Sequence, residues 1–134
     1  MRLSVITPER TIVDAEVTEV TAPGEAGQLG VLADHITFLG ALEAGEVRYK
    51  GADGAAVLIM SGGLIEVQDN RITILADDAL RPDQVDAEAA RRDLEQARAR
   101  RESLDPYGDA YTAAVAAERW ADLRIRTAAP ASKH

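Results

Sequence analysis

The sequence predicts a β-plus-α chain: an N-terminal antiparallel β-sandwich over residues 1–83, followed by a C-terminal antiparallel two-helix hairpin over residues 84–134. Three observations carry this reading. Short apolar segments broken by turn residues fill the first part, the pattern of a small all-β domain. Nine of the ten glycines precede Pro82, while 14 alanines follow it. Charge changes at the same place: residues through Arg81 carry 6 Lys/Arg against 13 Asp/Glu, and those from Pro82 onward carry 9 against 10.

The first segment, RLSVIT, alternates so that Leu3 and Val5 share a side, and Pro8 interrupts it. In TIVDAEVTEVTA, Val13, Ala15, Val17 and Glu19 fall on one face while Ile12 and Val20 are out of step. That break of phase predicts a bulge or a split into two strands. PGEAGQ, KGADG and QDN have turn chemistry. AAVLIM is a continuous apolar run of strand length, and LIEVQDNRITILA predicts a hairpin turning at Asp69-Asn70, with Ile65 and Val67 answered by Ile72 and Ile74. A flattened barrel would satisfy the same pattern as a sandwich.

Pro82-Asp83 is a helix-start signal, and Asp86 and Glu88 suit the positive end of a helix dipole. Ala87, Ala90, Leu94, Ala97, Arg101 and Leu104 then recur at spacings of three and four, a narrow seam closed by an arginine. SLDPYGD breaks the helix. A second helix is expected from about Tyr107 to Arg126, with the seam Ala110, Ala113/Ala114, Ala117, Trp120/Ala121 and Leu123/Arg124. Alanine seams let helices approach closely but bury little apolar area, so such a hairpin should open easily. The tail after about residue 127 is expected to be disordered.

Composition excludes several classes of function. Apolar content of 46% and charged content of 28% are those of a globular chain. No apolar run approaches the ~18 residues of a membrane span, and MRLSVITPER holds too few apolar residues for a secretion signal. With no cysteine there is no disulfide framework or thiol chemistry, which suits a reducing compartment. A formal charge of −8 disfavours nucleic acid and anionic lipid as partners.

Catalytic signatures are missing. Ser61 in IMSGG lacks the leading glycine of a nucleophile elbow, and the only histidines are His35 and His134. Gly24, Gly27 and Gly30 make neither a dinucleotide fingerprint nor a P-loop. Asp34 and His35 are two adjacent candidate metal ligands without a third, and Asp77-Asp78 read as solvated residues at a strand end. Arg91, Arg92, Arg98, Arg100 and Arg101 are interleaved with acids, which describes a solvated helix face or a surface for an acidic partner. No metal and no catalytic residue is assigned.

GQLGVLADH, then LEAGEVRY, then LIMSGGLIEVQDNRITILAD and an Asp86-led alanine-rich helix pair together resemble the epsilon subunit of F-type ATP synthases in its compact bacterial form. The resemblance runs in order from Leu3 to about Arg126. It implies a non-catalytic rotor subunit in the central stalk of a proton-translocating enzyme, peripheral at the cytoplasmic face of the bacterial inner membrane. The implied partners are the gamma subunit, the c-ring, and the alpha and beta subunits; neither nucleic acid nor direct lipid insertion is implied, and the isolated subunit would be a monomer. In the family the sandwich packs on gamma and the c-ring, and the helices fold down or extend into the alpha/beta hexamer, where they block ATP hydrolysis.

The resemblance also places residues. Gln28, Leu29, Gly30 and His35 match the loop that faces the c-ring, although the family commonly has an acid where Gln28 stands and Pro-Gly where Ala33-Asp34 stand. Arg98, Arg100, Arg101, Arg119, Arg124 and Arg126 would meet acidic loops of the hexamer. Many bacterial members bind ATP through Ile/Leu-Asp-x-x-Arg-Ala, for which the matching residues are Val85, Asp86, Ala89 and Ala90. The arginine is missing, and Arg91 lies two residues on, roughly 200° further around a helix. No cofactor is therefore expected. The competing reading is a free-standing β-sandwich binding module dimerised by its helices; an enzyme comes third, for want of a cluster of titratable residues.

Overall fold

Leu3 and Val5, which the alternation of RLSVIT turns to one side, are both fully buried, so the first strand enters the core as its period dictates. The structure is a computed structural model and describes residues 1–32 and 37–128. Its chain divides into two units, Met1–Leu80 and Arg81–His134. The first unit contains β1 (Arg2–Ile6), β2 (Thr11–Gly24), β3 (Gly27–Leu32), β4 (Phe38–Gly51), β5 (Gly54–Gln68), β6 (Arg71–Ala76) and β7 (Ala79–Leu80). Neighbours run β1-β6-β5-β4-β2-β3, with β7 on β5, and β1 also pairs with β2, which closes the sheet on itself. The ladders are antiparallel except the parallel pair β1–β6. The result is the expected sandwich, flattened and closed, with Leu3, Val20, Val47, Leu58, Met60, Ile65, Ile72 and Ile74 at its centre. Across the closing ladder Arg2 Nε donates to Asp14 Oδ1 at 2.8 Å. That bond, with the guanidinium charge, holds the Asp14 carboxyl below the usual carboxylate range, so the pair supports the fold at neutral pH and fades as pH falls through the lowered value.

The phase break in β2 is a bulge and not a split. Val13 and Val17 are buried, then Val20 and Ala22, and the pairing with β4 shifts between Val17 and Glu19. The hairpin at Asp69-Asn70 forms as expected: Ile65 faces Ile74 and Val67 faces Ile72. Asp69 and Asn70 have φ of 53° and 63°, the paired left-handed residues of a type I′ turn, which matches strand twist.

The long strands β4 and β5 change faces midway. Along β5, Leu58 and Met60 point inward, then Ile65 and Val67, an inversion of the even–odd rule. Gly62 and Gly63 stand at the switch, both with positive φ, 131° and 157°. A Cβ at Gly63 would collide with the Leu75 carbonyl. On β4 the switch falls at Gly45, where a Cβ would sit 2.6 Å from Pro23 of β2. Glycines at these places let the strands bend from one face of the sandwich to the other.

In the second unit α1 (Ala87–Glu102) starts a turn later than Pro82 suggested. Pro82–Gln84 form one 3-10 turn, and Val85 is extended (ψ 127°). Asp86 is the N-cap, its Oδ1 accepting from Ala89 N at 3.1 Å. The second helix, α2 (Asp109–Ala128), likewise begins after the expected Tyr107, which lies exposed in the connecting loop. Ala90 and Ala97 are buried on α1 as the seam predicts, with Leu94 and Arg101 half-buried. On α2 the seam holds at Ala114, Ala121 and Leu123, which are buried together with Ala128, and fails at Ala110 and Ala117, which are exposed. Doubled alanines at 113/114 and 116/117 leave the apolar pattern unable to choose between neighbouring faces. The residues after Ala128, and with them the expected disordered tail, lie outside the described residues.

Gly63→Ala is expected to cost about 3 kcal/mol or more, from left-handed backbone strain together with the overlap on Leu75. A urea midpoint that falls by that amount at constant slope would bear this out; an unchanged midpoint would show that the switch does not need glycine.

Candidate docking surfaces

The first six residues of the strip GQLGVLADH form β3. Gln28 pairs with Pro23, Leu29 with Ala22 and Gly30 with Thr21. Gln28 and Gly30 are exposed, whereas Leu29 leans on the core. Among the described residues β3 pairs with β2 alone, so its outer edge offers backbone N–H and C=O groups to a partner. His35, and with it Asp34, lies outside the described residues. Three of the four residues matched to the c-ring loop thus sit together on one free sheet edge.

A second surface escaped the sequence reading. Leu39, Leu64 and Leu75 are 69, 46 and 49% exposed. The register sets Ala41 against Leu64, Leu64 against Leu75, and Leu75 against Ile6. An apolar row therefore crosses β4, β5, β6 and β1, since directly opposed side chains lie within ~5.5 Å. Leu39, two residues from Ala41, extends it. The signal was present in the adjacent apolar pairs Leu64-Ile65 and Ile74-Leu75, which force one member of each outward.

The hairpin arginines are mostly occupied by the chain itself. Arg98 Nε lies 3.3 Å from Glu118 Oε1 and Arg101 Nε 2.8 Å from Glu118 Oε2. Arg124 reaches Asp93 at 2.9 Å and stacks 5.3 Å over Trp120. Arg126 pairs with Asp122 along α2 at 2.9 Å. Arg100 and Arg119 pair with no carboxylate among the described residues. Exposed pairs of this kind contribute ~0.2–1 kcal/mol each. Arg101 Nη2 also donates to Glu118 Oε1 at 3.5 Å, whereas its buried Nε, close to Oε2, is not aligned to donate.

The degenerate nucleotide motif is taken up by helix structure. Asp86 caps α1, Ala90 is buried in the seam, Val85 is half-buried, and Arg91 pairs with Glu88 at 3.1 Å. Ser61 Oγ accepts from Asp78 N at 2.9 Å, holding β5 to the turn before β7. A groove of about 360 Å³ over β2, β4 and β5 has its cations engaged, Arg48 with Glu46 and Lys50 with Glu19, and no nucleophile–base pair forms in it. Among the described residues no group of three His, Cys, Asp or Glu could hold a metal, and no helix is long and apolar enough to cross a membrane.

A closed sandwich with an apolar outer row and a free edge, joined to an ion-paired alanine hairpin, has the surfaces of a docking subunit. Residues 1–82 match the family model of the ATP synthase delta/epsilon chain β-sandwich domain. The ATP synthase epsilon chain of Geobacter sulfurreducens is 34% identical over 99% of this chain and 96% of its own length, and that of Dichelobacter nodosus is 41% identical over 75% and 68%. A chain in the structure of the Euglena gracilis mitochondrial ATP synthase, OSCP/F1/c-ring, superposes at TM-score 0.70 with 26% identity, covering 98% of this chain and 80% of that one. A chain of the Tetrahymena thermophila mitochondrial ATP synthase shares the fold at TM-score 0.65 and 16% identity, over 98 and 96%. The protein belongs to the ATP synthase epsilon chain family.

One buried hydroxyl is out of balance among the described residues. Thr21 Oγ1 has no hydrogen-bond partner. Thr21→Val, equal in shape and suited to a strand, is expected to raise stability by about 1 kcal/mol, read as a higher urea midpoint. A loss of stability would mean that the hydroxyl is hydrogen-bonded in solution.

Proposed function

We propose that this chain is a non-catalytic rotor subunit in the central stalk of a proton-translocating ATP synthase, held at the cytoplasmic face of a bacterial membrane by its protein partners. The apolar row Leu39, Ala41, Leu64, Leu75 and Ile6 carries the reading. A row of this kind on an otherwise acidic surface marks a protein contact, and its partner is the gamma subunit. The free edge of β3, with Gln28, Leu29 and Gly30, faces the c-ring, and His35 belongs to the same contact. Docking through both surfaces couples gamma to the ring without any chemistry in this chain.

The hairpin is the regulatory part. Its buried seam is mostly alanine, so the paired form lies only a few kcal/mol below an opened one. Opened along gamma, α1 and α2 would present Arg98, Arg100, Arg101, Arg119, Arg124 and Arg126 to carboxylates of the alpha/beta hexamer and hinder ATP hydrolysis. Several partly desolvated pairs supply differential binding of the size such a shift needs, about 5.5 kcal/mol for a full reversal of populations. With its seams packed against each other inside one chain, the isolated subunit is a monomer and binds no cofactor.

Leu64→Glu with Leu75→Glu tests the docking row. Both side chains are exposed, so the isolated variant should melt within a few degrees of wild type yet fail to co-purify with gamma. Retention at wild-type stoichiometry would refute the assignment. Deleting residues 87–134 tests the brake: hydrolysis by the purified complex should rise while ATP synthesis stays coupled. Unchanged hydrolysis would make the hairpin structural.

A further inference from the structure

We infer that Glu118 is an internal stand-in for a partner's carboxylates, a latch that holds the hairpin arginines until a protein surface replaces it; the inference rests on the brake reading above. Glu118 lies within the α2 seam between Ala114 and Ala121, where a small apolar residue would fit the pattern, and its side chain is only 22% exposed. From there it takes both Arg98 and Arg101, three residues apart on α1 and hence on one face. The three side chains, with Arg119 and Asp122, line a groove of about 400 Å³ between the helices. The groove carries three cations against two carboxylates, so it favours a further acidic group. Asp93 does the same for Arg124 further along the pair.

The latch is loose at one point. Arg101 holds Glu118 through a long hydrogen bond from Nη2, 3.5 Å, and through the charge of its buried Nε, 2.8 Å from Oε2 but not aligned to donate. Two of the arginines proposed to reach the hexamer are thus exchanged between carboxylates when the hairpin opens, and no bare cation is created. Glu118 competes directly with the partner for Arg98 and Arg101. Removing its charge favours the open, inhibiting form, whereas removing the arginines weakens both forms.

The test compares the purified complex carrying Glu118→Gln, Glu88→Gln or the deletion of residues 87–134. Glu88 is the control, since it pairs within α1 with Arg91, outside the groove and away from the arginines proposed to reach the hexamer. Glu118→Gln should lower hydrolysis about two- to fivefold, the shift that loss of exposed pairs produces, with Glu88→Gln unchanged. If deletion raises hydrolysis while Glu118→Gln leaves it at or above wild type, the latch is refuted and the brake stands. If deletion changes nothing, the brake reading fails, and the latch is judged on the isolated full chain. There, amide exchange across residues 109–128 should quicken about two- to fivefold in Glu118→Gln and not in Glu88→Gln; equal exchange refutes it.

Discussion

The face switch at Gly62-Gly63 governs the first unit. Before it, Leu58 and Met60 of β5 enter the central cluster, with Ile59 buried outside it; after it, Ile65 and Val67 enter. An uninterrupted alternation beyond Met60 would have buried Leu64 and turned Ile65 and Val67 outward, exchanging the core for the surface along the hairpin. The switch needs positive φ at two consecutive residues and contact with the Leu75 carbonyl, which only residues without a Cβ allow. Gly45 on β4, under Pro23, makes the matching bend possible. The exposed apolar row exists because of this corner: Leu64 faces out beside Leu75 and Ala41 since the strand has already turned over.

The second unit runs on different forces. Its seam has Ala90, Ala97, Ala114 and Ala121 where a permanent helix pair would have leucine. Dispersion and apolar burial are correspondingly small, and charge takes a larger share of what keeps the helices paired. Three ion pairs span the two helices, all at least partly exposed. Such contacts fix register well and stabilise little, which suits the opening proposed for the hairpin.

Much of the fold was legible in the sequence, and the losses have specific causes. Leu3/Val5 alternation, the β2 bulge and the Asp69-Asn70 hairpin were readable because each depends on a local signal, a period or a turn residue. The α2 face was legible only in part: Ala114, Ala121 and Leu123 are buried as expected, but alanine at both 113 and 114 and at both 116 and 117 erases the contrast that a helical period needs, and the place of Glu118 opposite Arg98 and Arg101 is a tertiary fact. Helix starts slipped for a similar reason. Pro82 can open any helical turn, and the capping of Ala89 N by Asp86 selects the later one. Gln28, Leu29 and Gly30 were expected in a turn and loop and instead lie on β3; the glycines bracketing them are turn signals that hide a short edge strand. The apolar row could not be placed without the face switch, since the outward direction of Leu64 depends on backbone angles at Gly62 and Gly63, well before the turn.

The two units therefore respond differently to the solvent. Burial of the apolar row against a partner is insensitive to ionic strength. The hairpin's pairs and any contact made by the same arginines elsewhere are screened together, over a Debye length of about 8 Å at physiological salt. Because screening weakens the closed latch and the opened contact in parallel, the balance between them moves less than either term alone. In the proposed latch, charge exchange in place of charge creation would give a switch whose set point depends on the identity of the competing carboxylates more than on the medium. The position of Glu118, inside the seam and less exposed than the arginines it holds, makes the internal competitor the less screened of the two until a partner encloses those arginines more fully.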